Sequence, residues 1–201
     1  MPTNSPWAES KIIGILSTSK KHLNRPQISE ILGYANSYTR FQTFLDILPR
    51  LKSEDYWYAL RNAYDSSDDL YHLRKEVRKA FLRRFKNRFS LMSAKEIQKL
   101  NSLPKKFKIY RGMTELEFRS HEYGVSWTFI KARGIYFRDK YTRNHATQHL
   151  QKVLAVATVN KKDIIAIFTE RKESEVIILK GINAPEIEHS KYKWIKEQIL
   201  P

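Results

Sequence analysis

The spacing of apolar residues changes near residue 104. In ISEILGYANSYTRFQTFLDILPRL, Ile28, Ile31, Leu32, Tyr38, Phe41, Phe44, Leu45 and Leu48 recur roughly at the intervals of an amphipathic helix. Pro49 then falls where a helix would end. Ser53-Glu54-Asp55 offers a capping residue and first-turn acids for a new segment, and Ser66-Ser67-Asp68-Asp69 does the same for the stretch after it. That stretch, LYHLRKEVRKAFLRRFKNRF, sets Leu73, Val77, Phe81, Phe85 and Phe89 four apart, which predicts one long helix with a single core-facing stripe. Only Gly14 and Gly33 occur before residue 104. The pattern predicts a helical N-terminal region over 1–103.

Beyond it the period shortens to two. FKIYRG alternates and is expected to stop at Gly112. GVSWTF at 124–129, KVLAVATV at 152–159, DIIAIF at 163–168 and EVIIL at 175–179 read as further strands. YTRNHATQHLQK reads as helix or loop, and Lys131-Ala132-Arg133-Gly134 as a poor helix start. The fold class expected is α+β, with a β-rich region over 104–201 that forms a second domain or continues a single one.

Composition adds three constraints. The chain has 201 residues and 41% hydrophobic content, enough for one good core or two small ones. It has no cysteine, which excludes disulfides and thiolate zinc sites. No secretory leader and no apolar run of about eighteen residues is present, so a soluble, cytoplasmic protein without a membrane partner is expected.

The net charge of +16 suits phosphates, nucleic acid or an acidic protein partner; a basic surface with no polyanion target is the plain alternative. Charge does not separate the halves. Residues 1–104 hold 18 basic and 10 acidic residues and 105–201 hold 19 and 11, so each carries +8. On the long basic segment, Arg78, Arg83 and Arg84 are candidate nucleic-acid contacts or simply a solvated face. Tyr56, Trp57, Tyr58 and Tyr64 suit core packing better than base stacking. Trp194 with Lys191, Lys193 and Lys196 makes a basic tail. His145 and His149 lie four apart with no further ligand at suitable spacing, so no metal is expected. No Gly-x-Gly-x-x-Gly follows a strand, so a Rossmann dehydrogenase is not supported.

Three short segments carry candidate chemistry. Tyr110-Arg111-Gly112 puts a planar donor fork at a strand end, beside a glycine that admits close approach to the main chain. Ser126 and Thr128 share a strand face opposite Trp127, and two hydroxyls there would orient a carboxylate. Glu173 and Glu175 share a face if the strand includes both, and like charges so close are costly unless they work. Taken singly, each also reads as ordinary surface.

In this order, the segments resemble the mono-ADP-ribosyltransferase family, in its Arg-Ser-Glu class and its bacterial and phage-borne, toxin-like branch. The matching residues are IYRG, GVSWTF with Phe137 eleven positions past Ser126, and ERKESEVIIL, within 109–179. Gly134 stands where the family usually has a small alanine. The resemblance implies a core of two packed, mainly antiparallel sheets that binds NAD+ as a consumed co-substrate, without a metal. It implies that Arg111 binds the NAD pyrophosphate and supports the pocket, beside Tyr110, and that the Gly112 main chain holds the nicotinamide amide. Ser126 and Thr128 would hold Glu175, Glu175 would bond the nicotinamide-ribose 2′-hydroxyl, and Phe137 would stack near the nicotinamide. Glu173 would contact or deprotonate the acceptor. The charge inclines the acceptor toward nucleic acid, RNA first, with a protein arginine as the alternative. A non-catalytic basic RNA-binding module is the reading outside enzymology. A toxin or phage-conflict effector would need restraint, which makes an antitoxin or chaperone an expected partner.

Overall fold

The first helix, α1 (Pro6–Thr18), opens on Pro6 behind a Ser5 cap that accepts from the Ala8 amide at 3.2 Å. A computed structural model describes residues 3–19, 21–68, 70–84, 87–140, 150–169, 174–183 and 185–188. The chain divides into two units, Met1–Ser93 and Ala94–Pro201. The first continues with α2 (Arg25–Tyr34), α3 (Arg40–Ile47), α4 (Tyr56–Asp65) and α5 (Arg74–Leu82). Asn24 and Gln27 form a capping box at the start of α2. Arg40 donates to the carbonyls of Leu32 and Ala35, both at 2.7 Å, satisfying acceptors at its end. Ile28, Ile31, Phe41, Phe44, Trp57, Leu60 and Phe81 are buried together with Tyr56. The Tyr56 hydroxyl donates to the Ala80 carbonyl at 2.9 Å, and burial pushes its pKa up to about 12.

Several expectations for this region need correction. Asp55, not Ser53, stands at the N-cap of α4, and its carboxylate accepts from Arg25 Nε at 2.8 Å instead of from the helix. Ser67 donates back to the Ala63 carbonyl at 2.7 Å, so it closes α4 and does not open α5. The long basic segment is not one helix. It ends at Leu82, where Arg83 turns extended; Asn87 is left-handed (φ 61°), and Phe89 is 67% exposed. Only Val77 and Phe81 of the expected stripe are buried, and Phe85 lies outside the described residues. Tyr56, Trp57 and Tyr64 are core residues, and Arg83 stacks on the Tyr56 ring at 5.9 Å.

The second unit comprises α6 (Ala94–Ser102), β1 (Lys106–Thr114), α7 (Glu115–Ser120), β2 (Ser126–Thr128), α8 (Lys131–Asp139), β3 (Lys152–Asn160), β4 (Ile164–Phe168), β5 (Glu175–Ile178) and β6 (Glu186–Glu188). Helix α6 is tied to the strands. Buried Glu96 accepts from the Thr169 amide at 2.8 Å, and Lys161 Nζ donates to the Asn101 and Leu103 carbonyls near its end.

The described strands make one antiparallel sheet, in the order β4-β5-β2-β1-β3-β6, and not two packed sheets. The reason is a single bridge. β1 pairs with β3 along its whole length, whereas β1 meets β2 only at Tyr110↔Thr128, joining β4-β5-β2 to β1-β3-β6. β1 does not stop at Gly112 but runs to Thr114, because Gly112 and Met113 keep their register with Leu154 and Val153. The poor helix start at Lys131 does form α8, which packs on β1. Among the described residues no helix is long and apolar enough to cross a membrane.

Candidate functional site

The register builds one row of side chains across the sheet. Phe168 lies opposite Glu175, Glu175 opposite Thr128, Thr128 opposite Tyr110, Tyr110 opposite Val156, and Val156 opposite Glu186. Directly opposed residues in an antiparallel sheet share a face, so all six project the same way. Ser126 and Gly112, each two residues from a row member, lie on that face too. Trp127 points to the other face, where it is buried and donates from Nε1 to the Gly124 carbonyl at 3.2 Å.

Thr128 and Glu175 are 4% and 8% exposed, so this is a carboxylate in a mostly dry setting. The turn before it is held from β2. The Thr128 hydroxyl donates to the Ser174 carbonyl at 3.2 Å and accepts from the Ile130 amide at 3.1 Å, and the Phe129 amide also donates to Ser174. Ser174 is left-handed, φ 50°. β5 therefore begins at Glu175, and the two-residue alternation does not run back through Ser174. Glu173 itself lies outside the described residues. The Ser126 hydroxyl sits diagonal to Glu175, and it has no hydrogen-bond partner among the described residues.

Past the Tyr110–Thr128 bridge, β1 and β2 part, and the side chain of Arg111 spans the gap. Its Nη1 donates to the Ser126 carbonyl at 2.6 Å. Its Nε donates to Glu117 Oε1 at 3.0 Å, and Nη2 reaches Oε2 at 3.5 Å. Glu117 also accepts from the Gly124 amide at 2.9 Å. With side chains only 21% and 6% exposed, Arg111 and Glu117 form a mostly buried, charge-assisted clamp between β1, α7 and the approach to β2. Gly124 is needed there, since a Cβ at that position would stand 2.5 Å from Arg111 Nη2. Tyr123, packed edge-on to Trp127 at 5.9 Å, has its phenol pKa raised by burial and then by Glu117.

Gly112 is also required by the fold. A Cβ there would stand 2.3 Å from the Arg138 nitrogen and 2.7 Å from the Gly134 oxygen and the Phe137 carbonyl carbon. The close approach is made by α8. Gly134 completes the fit, its own Cβ position lying 2.8 Å from the Leu154 and Tyr110 side chains. Phe137, half-buried on α8, is thereby held beside Gly112 and packs edge-on to Tyr136 at 5.7 Å. Arg138 donates from Nε and Nη2 to Asp139, which holds the Asp139 carboxyl below its ordinary range.

Gly112, Ser126, Thr128, Glu175 and Tyr110 therefore share one face of the second unit's sheet, with Phe137 on α8 beside Gly112, whereas Arg111 alternates with Tyr110 and Gly112, projects to the Trp127 face beside Gly124 and meets β2 only at the Ser126 carbonyl. Arg78, Arg83 and Arg84 belong to the first unit and are exposed. Among the described residues no three His, Cys, Asp or Glu are grouped to hold a metal; His145 and His149 lie outside them, as does the Trp194 tail. Glu117 is the site residue that sequence reasoning missed. Its signal is indirect: an arginine on a buried strand needs a counter-charge, and the next acids are Glu115 and Glu117. No protein-family model, curated protein or solved structure matches the chain.

Proposed function

We propose that the chain is a mono-ADP-ribosyltransferase, transferring ADP-ribose from NAD+ to a nucleic-acid acceptor, RNA in the first instance. The observation that supports this reading is the row Tyr110–Thr128–Glu175, flanked by the unpartnered Ser126 hydroxyl and by the gap between β1 and β2 that Arg111 spans. Positions 126 and 175 are far apart in the chain and share this face, and Arg111 touches the same strand at the Ser126 carbonyl from the other face.

In the proposal the nicotinamide end of NAD+ lies on the row face beside Ser126 and Glu175, next to α8 and its Phe137. Arg111, braced by Glu117, holds β2 and turns the exposed part of its guanidinium to the pyrophosphate. Ser126 donates its hydroxyl to Glu175, and Glu175 accepts from the ribose 2′-hydroxyl. The bond from the ribose C1′ to the nicotinamide nitrogen breaks, and its electron pair leaves with neutral nicotinamide. The positive charge left on the ribose is oxocarbenium-like. An ionised Glu175 stabilises that charge more than it stabilises intact NAD+, the differential that lowers a barrier. The acceptor then bonds to C1′ and gives its proton to Glu173.

The test is incubation of the protein with labelled NAD+ and RNA, DNA or protein. Nicotinamide release with label on RNA is expected, and Glu175→Gln should slow release by about 10²–10³ with NAD+ binding retained. Label on protein alone would replace the acceptor. No release and no label would overturn the reading.

A further inference from the structure

One charged feature of the second unit plays no part in the chemistry above. Lys106 and Lys108 alternate with Phe107 and Ile109, so they share the face of Tyr110, Thr128 and Glu175. At the rise of a strand, Lys108 stands about 7 Å from Tyr110 along β1 and Lys106 about 13 Å away. Both are exposed, opposite the polar residues Thr158 and Asn160. No acid pairs with either among the described residues. Asn160 donates to Asp163 at 3.3 Å, which keeps that acid on the β3–β4 turn.

The end of the row on which they stand is also defined. β1 and β5 both run antiparallel to β2, so the residues before Tyr110, those after Thr128 and those before Glu175 all lie to one side of the row. That side holds Lys108 and Lys106, Phe129, and the Ser174 turn leading back toward Glu173. Arg111 and Gly112 lie on the opposite side of the row. The NAD+ end and the basic end are therefore separated by the row itself.

We infer that Lys106 and Lys108 hold the phosphate backbone of the single-stranded RNA acceptor, feeding an unpaired nucleotide toward Glu175. The inference rests on the transferase reading. Buried Thr128 and Glu175 are beyond the reach of bases stacked in a duplex, whereas an unpaired nucleotide can be splayed toward them. Lysines spaced along a strand give contacts without sequence preference, and they leave the reading of the acceptor base to the site itself.

The experiment measures binding of the full chain to a short, labelled, single-stranded RNA over a range of salt concentrations. It compares the wild type with K106A/K108A and K106R/K108R, and records nicotinamide release without RNA in parallel. The alanine pair should weaken RNA binding about tenfold at low salt. It should flatten the slope of log affinity against log salt by about 1.4, two phosphates at about 0.7 each. The arginine pair should keep the slope, and release without RNA should be unchanged in both. An unchanged slope in the alanine pair, equal losses in the arginine pair, or NAD+ cleavage falling in step with RNA binding would overturn the inference. A wild type that shows the lysine-dependent slope yet never releases nicotinamide would keep the lysine surface as an RNA contact and overturn the transferase reading alone.

Discussion

Gly112→Ala separates a packing role for this glycine from a ligand-binding one. The added methyl would meet the Arg138 nitrogen at 2.3 Å and two more main-chain atoms at 2.7 Å. Ordinary contact needs about 1 Å more, and neither a paired strand nor a helix backbone yields by rotating a bond. The helix must lift off β1, and a gap of 0.5–1 Å forfeits about a quarter to a half of each dispersion contact along the interface. Overpacking typically costs about 1–3 kcal/mol, and obstruction by three main-chain atoms of α8 places this case near 3 kcal/mol, a fall of about 10 °C in Tm. Gly134→Ala is the internal control. Its methyl meets the flexible tip of Leu154 and the Tyr110 Cβ at 2.8 Å, and about 1 kcal/mol of helix propensity is gained in return. It should stay within about 1 kcal/mol of wild type. Thermal and urea unfolding of the three proteins, without NAD+, decides the matter. If Gly112→Ala matches wild type in stability yet loses nicotinamide release, the glycine serves the ligand and the helix-seat explanation is refuted.

Two further outcomes follow from the buried charges. Glu117→Ala removes both carboxylate contacts to Arg111 and the acceptor for the Gly124 amide, so it should destabilise the protein by about 3 kcal/mol in urea titration, and an unchanged midpoint would contradict the clamp. Tyr56 has its folded pKa raised to about 12 against about 10 unfolded, so its contribution is fully present below pH 10 and is lost as pH rises to 12. The full loss is about 3 kcal/mol, and Tyr56→Phe should flatten the alkaline limb of a stability-against-pH curve.

Hydrophobic period located most elements and misplaced their ends. Strands β1 to β5 were legible because each carries apolar residues enough to declare a period. β6, with three residues and two glutamates, declares none. α8 was hidden because Gly134 lowers helix propensity, and what the glycine serves is a contact with β1 that no local window contains. The basic segment misled for the converse reason. Its four-residue stripe continues past Leu82, while the backbone turns extended at Arg83 and left-handed at Asn87. A glycine such as Gly112 marks a place of close approach, but a sequence does not say whether a helix or a ligand makes that approach.

The Glu-x-Glu segment shows where local and long-range demands diverge. Left-handed backbone at a serine costs about 1–2 kcal/mol, and a sequence reader has no reason to place it inside what looks like an alternating strand. The structure offsets that cost from β2, whose Thr128 hydroxyl and Phe129 amide both donate to the Ser174 carbonyl. Thr128 thus acts on Glu175 through the backbone as well, holding the turn from which the carboxylate enters β5. Ser126 is left as the hydroxyl on that strand with no partner among the described residues.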